Sequence, residues 1–389
     1  MGAGRDAPTV AGRNKVPLLM VVGRRFAAGI LVGALALAVA GCGSSDTGGG
    51  GDEIDTGGLA AGLDGVSVVA SDQFALTWAD VPKLRAAGNL PESATEAATT
   101  DDGRWAAPVY LAVGDTIGPQ INAVDYGFDP MAGERAVGIG LPPNAATRYD
   151  GVDTDEATSA FEKLGFSDDG DYLKLGDEGE FVADAVNDLG VGPVGLNRVA
   201  IEGDSLALGA YEEPVDAVLG RGGEPATEVE GLAAVSDCLG DGVYVARVDA
   251  PGEQASDAVA LRAVGVGTEE DPAAESLCAV GAAGGDLDQV ESCMEGEFND
   301  GGIDPISARS YESVLGKASI ESGESDGTPW LRATFQPPGD APVGQLLNLE
   351  QVGALASPLG AEAQVAAGRH ATPAFINEVS KQLAKSCGS

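Results

Sequence analysis

A single histidine, His370, occurs in the 389 residues, and aromatic side chains make up only 5% of them. One imidazole cannot supply the histidine clusters of zinc or non-haem iron centres. Trp78, Trp105 and Trp330 stand far apart in sequence, so no stacking platform for a sugar is legible. Basic residues are scarce too: 22 Lys and Arg face 61 Asp and Glu, for a formal charge of −39. Such a chain repels phosphate backbones, which excludes a nucleic-acid grip. Phosphate loops are missing: there is no G-x-x-x-x-G-K-[ST], and Gly265-Val266-Gly267 has neither the later glycine nor the helix start of a dinucleotide fingerprint. What is present is a 44% hydrophobic chain, too apolar for a disordered acidic polymer and long enough for one large or two medium domains.

The N-terminus is a targeting segment. Residues 1–25 carry Arg5, Arg13, Lys15, Arg24 and Arg25 against one acid, Asp6, and a small, apolar run follows from Phe26 to Gly41. That run spans about 24 Å, short of a bilayer core. It ends in Leu37-Ala38-Val39-Ala40-Gly41-Cys42. The stretch Val39-Ala40-Gly41-Cys42 resembles the lipobox of bacterial lipoproteins, which implies cleavage before Cys42 and a diacylglyceryl thioether on its sulfur. Two acyl chains hold a protein stably where one does not. Arg24-Arg25-Phe26 leaves twin-arginine and general export both open, and Met20 offers an alternative start to Met1.

Removal of residues 1–41 raises the acidic excess of the remainder, whose acids form a solvated face rather than a membrane-hugging one. From Gly43 to Gly58 the chain reads GSSDTGGGGDEIDTGG, a coil with a reach of roughly 20–25 Å. Residues 42–66 are therefore expected to be a lipidated cysteine and flexible tether. Four further cysteines, Cys238, Cys278, Cys293 and Cys387, suit two disulfides in an exported chain, and none is in a C-x-x-C pair. Of three connectivities, Cys238–Cys278 with Cys293–Cys387 is the one adopted here.

Helix signals come with start and stop chemistry. Asp153-x-x-Glu156 precedes Ala157, Ala160, Phe161 and Leu164, with Gly165 as the stop; Thr227-x-x-Glu230 precedes Leu232, Val235 and Leu239, with Gly240 as the stop. Further helices are expected over Asp286–Glu297 and Pro373–Lys385. Strands are expected over 109–113, 136–141, 172–175, 199–208 (a hairpin turning at Gly203-Asp204), 243–248, 258–267, 276–280 and 330–336. Helices follow pairs of strands, which points to α+β: an antiparallel or mixed sheet with helices packed on one face, in two related modules, 67–198 and 199–389. Residues Pro142–Gly151, Ala160–Phe166 and Cys238-Leu239-Gly240-Asp241 resemble a group of actinobacterial exported lipoproteins, which implies location and architecture but no activity.

Three motifs suggest chemistry. Gly203-Asp204-Ser205-Leu206 has the letters of the GDSL hydrolases, yet a serine needs a base, and the residue three before His370 is Ala367 rather than Asp. Ser205 reads instead as part of the hairpin. Asp153-Thr154-Asp155 begins like a calcium loop but has Thr158 where glycine is required. Asp168-Asp169-Gly170-Asp171 and Asp177-Glu178-Gly179-Glu180 have no recognised ligand spacing. The sequence thus gives no catalytic residue, cofactor or metal ligand. It leads to a lipid-anchored, extracytoplasmic binding or envelope structural protein, with a protein or small molecule as ligand. A hydrolase working with carboxylates alone is the alternative, recognisable by two carboxyls about 5–10 Å apart in a pocket, one of them with a raised pKa.

Overall fold

The computed structural model describes residues 58–69, 75–114, 116–117, 125–178, 180, 196–250, 258–282, 285–300, 302, 309–339 and 341–351. Helix α1 (Gly58–Gly62) and strand β1 (Ser67–Val68) lead into β2 (Ala75–Asp80). Asp80 ends that strand and caps α2 (Val81–Gly88), accepting from the Lys83 N–H at 3.0 Å, with Pro82 in the first turn. Helices α3 (Ala94–Thr99) and α4 (Ala106–Val113) follow, then β3 (Arg135–Ile139), β4 (Ala146–Asp150) and α5 (Thr154–Lys163). The short β5 (Ser167–Asp168) and β6 (Leu173–Lys174) precede β7 (Arg198–Glu202), β8 (Ser205–Gly209) and α6 (Glu212–Val218). After β9 (Glu224–Pro225) and α7 (Leu232–Leu239) come β10 (Val245–Asp249), β11 (Val259–Val266), β12 (Glu275–Gly281) and α8 (Asp288–Phe298). Helix α9 (Tyr311–Leu315), β13 (Ser319–Ser325), β14 (Thr328–Phe335) and α10 (Gln345–Gln351) complete the described chain.

Twelve strands form one sheet in the order β13-β14-β12-β11-β10-β2-β3-β4-β8-β7-β6-β5, with every pairing antiparallel. The order is nearly a palindrome about the central β2–β10 pair. Outward from that pair, each half runs through its first, second and third strand and then its last and next-to-last: β2-β3-β4-β8-β7 on one side, with the short β6 and β5 beyond, and β10-β11-β12-β14-β13 on the other. In both halves a helix, α5 or α8, follows the third strand, and a two-residue hairpin joins the last two. Gly203 turns the first hairpin at φ 64°; Asp326 and Gly327, at 48° and 82°, turn the second. The strand order thus repeats between the two halves, and the change of half falls between Gly209 and Val245. A division at 198/199 would part β7 from β6, with which it pairs.

The α+β class agrees with the sequence. The helices do not keep to one face. Tyr149, Leu206, Val264, Leu277 and Phe335 point to a first core with Leu84, Val109, Phe161, Phe298 and Leu346, from α2, α4, α5, α8 and α10. Leu76, Trp78, Val137, Val248 and Cys278 point to a second core with Leu59, Val215 and Leu239, from α1, α6 and α7. The reason lies in the strands: all seven residues of β12 are buried, and a strand apolar on both sides must be covered on both.

Two local expectations are corrected. The segment 109–113, expected as a strand, is the last part of α4; Pro108 in its first turn and a following Gly114 at φ 75° frame a helix apolar on most sides. Thr227 does not cap α7, because residues 226–228 form a separate 3-10 turn and Gly231, at φ 84°, precedes the helix. By contrast, Asp153 caps α5 as its spacing suggests, accepting from the Glu156 N–H at 2.9 Å.

Candidate functional site

On the face of the first core, charged and polar side chains gather on the middle strands. Register places Thr147, Gly138, Thr77, Arg247 and Val264 in one row across β4, β3, β2, β10 and β11. The next row pairs Asp249 with Arg262. Because side chains alternate along a strand, Arg247, Asp249 and Arg262 emerge on the same face as Val245 and Val264. Helix α4 packs on β2, β3 and β10, and α10 on β11 and β12, both on this side. Yet Thr77 and Arg247, on the two central strands, remain partly exposed. These two positions lie at the seam between the two halves.

The seam and the strand beside it carry a balanced set of charges. Arg247 grips Asp249 with both Nε and Nη2, at 2.8 and 3.0 Å. Arg262 donates to Glu350 Oε1 from across the sheet face, and these two side chains are 8% and 4% exposed. Burial raises the Glu350 pKa, while the Arg262 and Arg247 guanidiniums oppose the rise and Asp249 reinforces it, so all four groups share one field. Glu350 Oε2 is buried and has no hydrogen-bond partner among the described residues. Beside them, Thr116 and Thr147 hydroxyls meet at 3.3 Å. Gly138 leaves room for Thr77: a Cβ there would lie 2.4 Å from its Oγ1. A Cβ on Gly114, just after α4, would lie 2.8 Å from Thr147 Oγ1.

None of these residues was singled out from sequence. The available signal was Arg262, a cation inside the apolar strand 258–267, and the Arg247-x-Asp249 alternation that puts two charges on one face. Helix α10, which carries Glu350, has no capping pattern of its own. Its first turn is held from outside by Glu275, whose Oε1 accepts from the Gly344 and Gln345 N–H groups at 2.8 and 2.9 Å and whose Oε2 accepts from Leu346 at 2.6 Å. Burial nonetheless lifts the Glu275 pKa to about 7, against those three bonds.

The residues chosen from sequence have other places. Cys238 and Cys278 are disulfide-bonded, with Cα atoms 6.1 Å apart, tying α7 to β12. In the chain-entropy account such a loop contributes roughly 4 kcal/mol. Cys293 is also disulfide-bonded. Its expected partner Cys387 lies outside the described residues, as do Cys42, His370 and the helix expected over 373–385. Ser205 begins β8 next to the hairpin turn and donates to Asp150 Oδ1 at 2.8 Å, a carboxylate that Arg148 also holds at 3.0 Å. The described residues contain no histidine to serve as its base. Asp168 closes its own turn onto Gly170 N–H at 2.8 Å, and Lys174 binds Asp169. Asp177 and Glu180 form another turn, pinned by the Asn197 amide. Among the described residues no group of three or more His, Cys, Asp or Glu side chains is placed to hold a metal ion, and no helix is long and apolar enough to cross a membrane. Trp78 and Trp105 belong to opposite cores of the sheet, so they form no joint platform.

No family model matches the chain, and comparison with curated proteins and with solved structures finds no match.

Proposed function

We propose that this chain is an extracytoplasmic lipoprotein, held to the membrane by lipid on Cys42, whose body binds a small polar ligand without transforming it. The anchor is supported by sequence: the basic leader, the short apolar run, Val39-Ala40-Gly41-Cys42 and the glycine-rich spacer. An acidic body adds no membrane affinity of its own, because anionic headgroups repel it, so the acyl chains are the sole attachment.

The binding role rests on one observation: polar and charged side chains, Thr77 and Arg247 among them partly exposed, stand on the middle strands where the two halves meet. Buried polar groups are costly unless satisfied, and the buried Glu350 Oε2 has no hydrogen-bond partner among the described residues. The two carboxylates on this face, Asp249 and Glu350, are each held by a guanidinium, Arg247 and Arg262.

Membrane fractionation and mass spectrometry of the protein made in a lipoprotein-processing bacterium test the anchor. The mature N-terminus is expected to be a diacylated Cys42. Cys42→Ser is expected to yield unlipidated protein; an unmodified Cys42, or residues 1–41 intact in the wild type, would sink the proposal.

A further inference from the structure

We infer that residues 341–351 form a strap closed over the first core, and that the Glu275 carboxyl is its pH-sensitive latch. The strap returns from β14, in the second half, to α4, in the first. Arg104, just before α4, holds its leading end: the Arg104 carbonyl accepts from the Val343 N–H at 2.7 Å, and Arg104 Nε donates to the Ala341 carbonyl at 3.2 Å. Gly344, at φ 82°, turns the chain tightly against α4, where a Cβ would lie 2.9 Å from Pro108 Cδ. Glu275, at the start of β12, then takes the N–H groups of Gly344, Gln345 and Leu346, donors that the first turn of a helix cannot satisfy by itself. Beyond the latch Leu346, Leu347 and Leu349 are buried and Glu350 meets Arg262, so the strap covers the core above β11 and β12.

Glu275 is fully buried, and no cation among the described residues offsets its charge. Its strand neighbours, Val266 on β11 and Phe335 on β14, are apolar. Tyr244, before β10, donates to the Pro272 carbonyl, and the charges of Glu275 and Asp271 both hold its proton in place. The other titratable groups around the strap are engaged elsewhere: Arg104 with Asp101, Glu350 at the far end of α10 with Arg262, and Tyr311 of α9 with Glu297. A carboxylate without a countercharge loses its hydration when the strap closes and regains it when the strap opens. The three N–H bonds reduce that cost without cancelling it, so closure favours the protonated carboxyl. In the closed strap Glu275 keeps its proton up to about pH 7, against 4.5 when solvated. Closure is therefore strongest at acid pH and weakens as pH rises through about 7, where the closed strap must bury a bare charge.

Amide hydrogen exchange of the full-length protein between pH 5 and pH 8, corrected for the intrinsic rate at each pH, tests this. The opening equilibrium of the amides at 343–350 is expected to rise by roughly 50- to 100-fold across that range and to level off above it. Glu275→Gln is expected to flatten the profile. Glu297→Gln, which removes a buried carboxyl away from the strap, is expected to leave it unchanged. Arg104→Ala loosens the strap from its other end, and should raise exchange there about fivefold at every pH while keeping the slope. That variant and the wild-type profile test the strap even if Glu275→Gln fails to fold. Exchange at 343–350 that is flat with pH overturns the latch, as does a slope that survives Glu275→Gln. A strap that tightens as pH rises also overturns it, by showing that the three N–H bonds outweigh burial. A slope lost in Glu297→Gln would mean that these amides open only when the whole body unfolds, and an Arg104→Ala variant without effect would mean that the segment is not held as one strap; either result overturns the inference.

Discussion

At the residue scale, Glu297 on α8 shows how far burial outweighs the intrinsic acidity of a carboxyl. It is 1% exposed, and desolvation pushes its pKa to about 8 although Tyr311 bonds to it and favours the charge. Its Oε1 has no hydrogen-bond partner among the described residues. A raised folded-state pKa means that the folded chain holds the proton where the unfolded chain has released it. Stability from this group is therefore complete below pH 4.5 and is lost as pH rises through about 8. The loss is on the order of 3–5 kcal/mol. Glu297→Gln keeps the shape and removes the ionisation, so its melting temperature is expected to exceed the wild type's at pH 8.5 and to approach it at pH 5. Parallel melting curves at both pH values would contradict this account. The sequence placed Glu297 at the end of an expected helix, and it does lie in α8. That it faces inward, beneath Tyr311, depends on a neighbour fourteen residues away.

At the element scale, α1 illustrates a fit made by glycine. A Cβ on Gly62 would come within 2.0 Å of Trp78 Nε1 and 2.7 Å of its Cδ1, so the helix can rest on the indole only without a side chain there. Arg135 and Arg148 fasten the same segment, donating to the Gly62 and Gly65 carbonyls at 3.2 Å each. Gly62→Ala is expected to cost about 1–3 kcal/mol by overpacking. Its urea midpoint should fall, and its tryptophan emission should move to the red. Gly222→Ala, with open space at its Cβ, should leave both unchanged. An unshifted midpoint for Gly62→Ala would show that α1 is not seated on Trp78. The elements legible beforehand were those with local signals: α5 by its Asp153 cap, the β7–β8 hairpin by Gly203-Asp204, and β10, β11, β12 and β14 by their apolar runs. Among the elements missed, the strands β2, β4 and β13 are short or mixed in polarity, with Thr77, Arg148 or Glu321 interrupting the pattern. Their strand state is imposed by partners on either side, or, for the edge strand β13, by its hairpin partner β14.

On the scale of the whole molecule, the central β2–β10 pair joins the two halves through five register positions and two shared cores. Neither half can keep its first strand buried without the other. Calorimetric unfolding of the body is accordingly expected to give one transition with equal calorimetric and van't Hoff enthalpies. Two transitions, each assignable to one half, would show that the seam is weaker than its pairing implies. Composition and local pattern alone determined the acidic character and the α+β class and raised the expectation of a Cys42 anchor, because charge, capping and apolar runs act over a few residues. The palindromic sheet, the cover on both of its faces and the grouping of charges at its middle were decided only in three dimensions. Thr77, Arg247, Arg262 and Glu350 are separated by up to 273 positions in the chain, and nothing short of strand register and helix packing brings them to one side of the sheet.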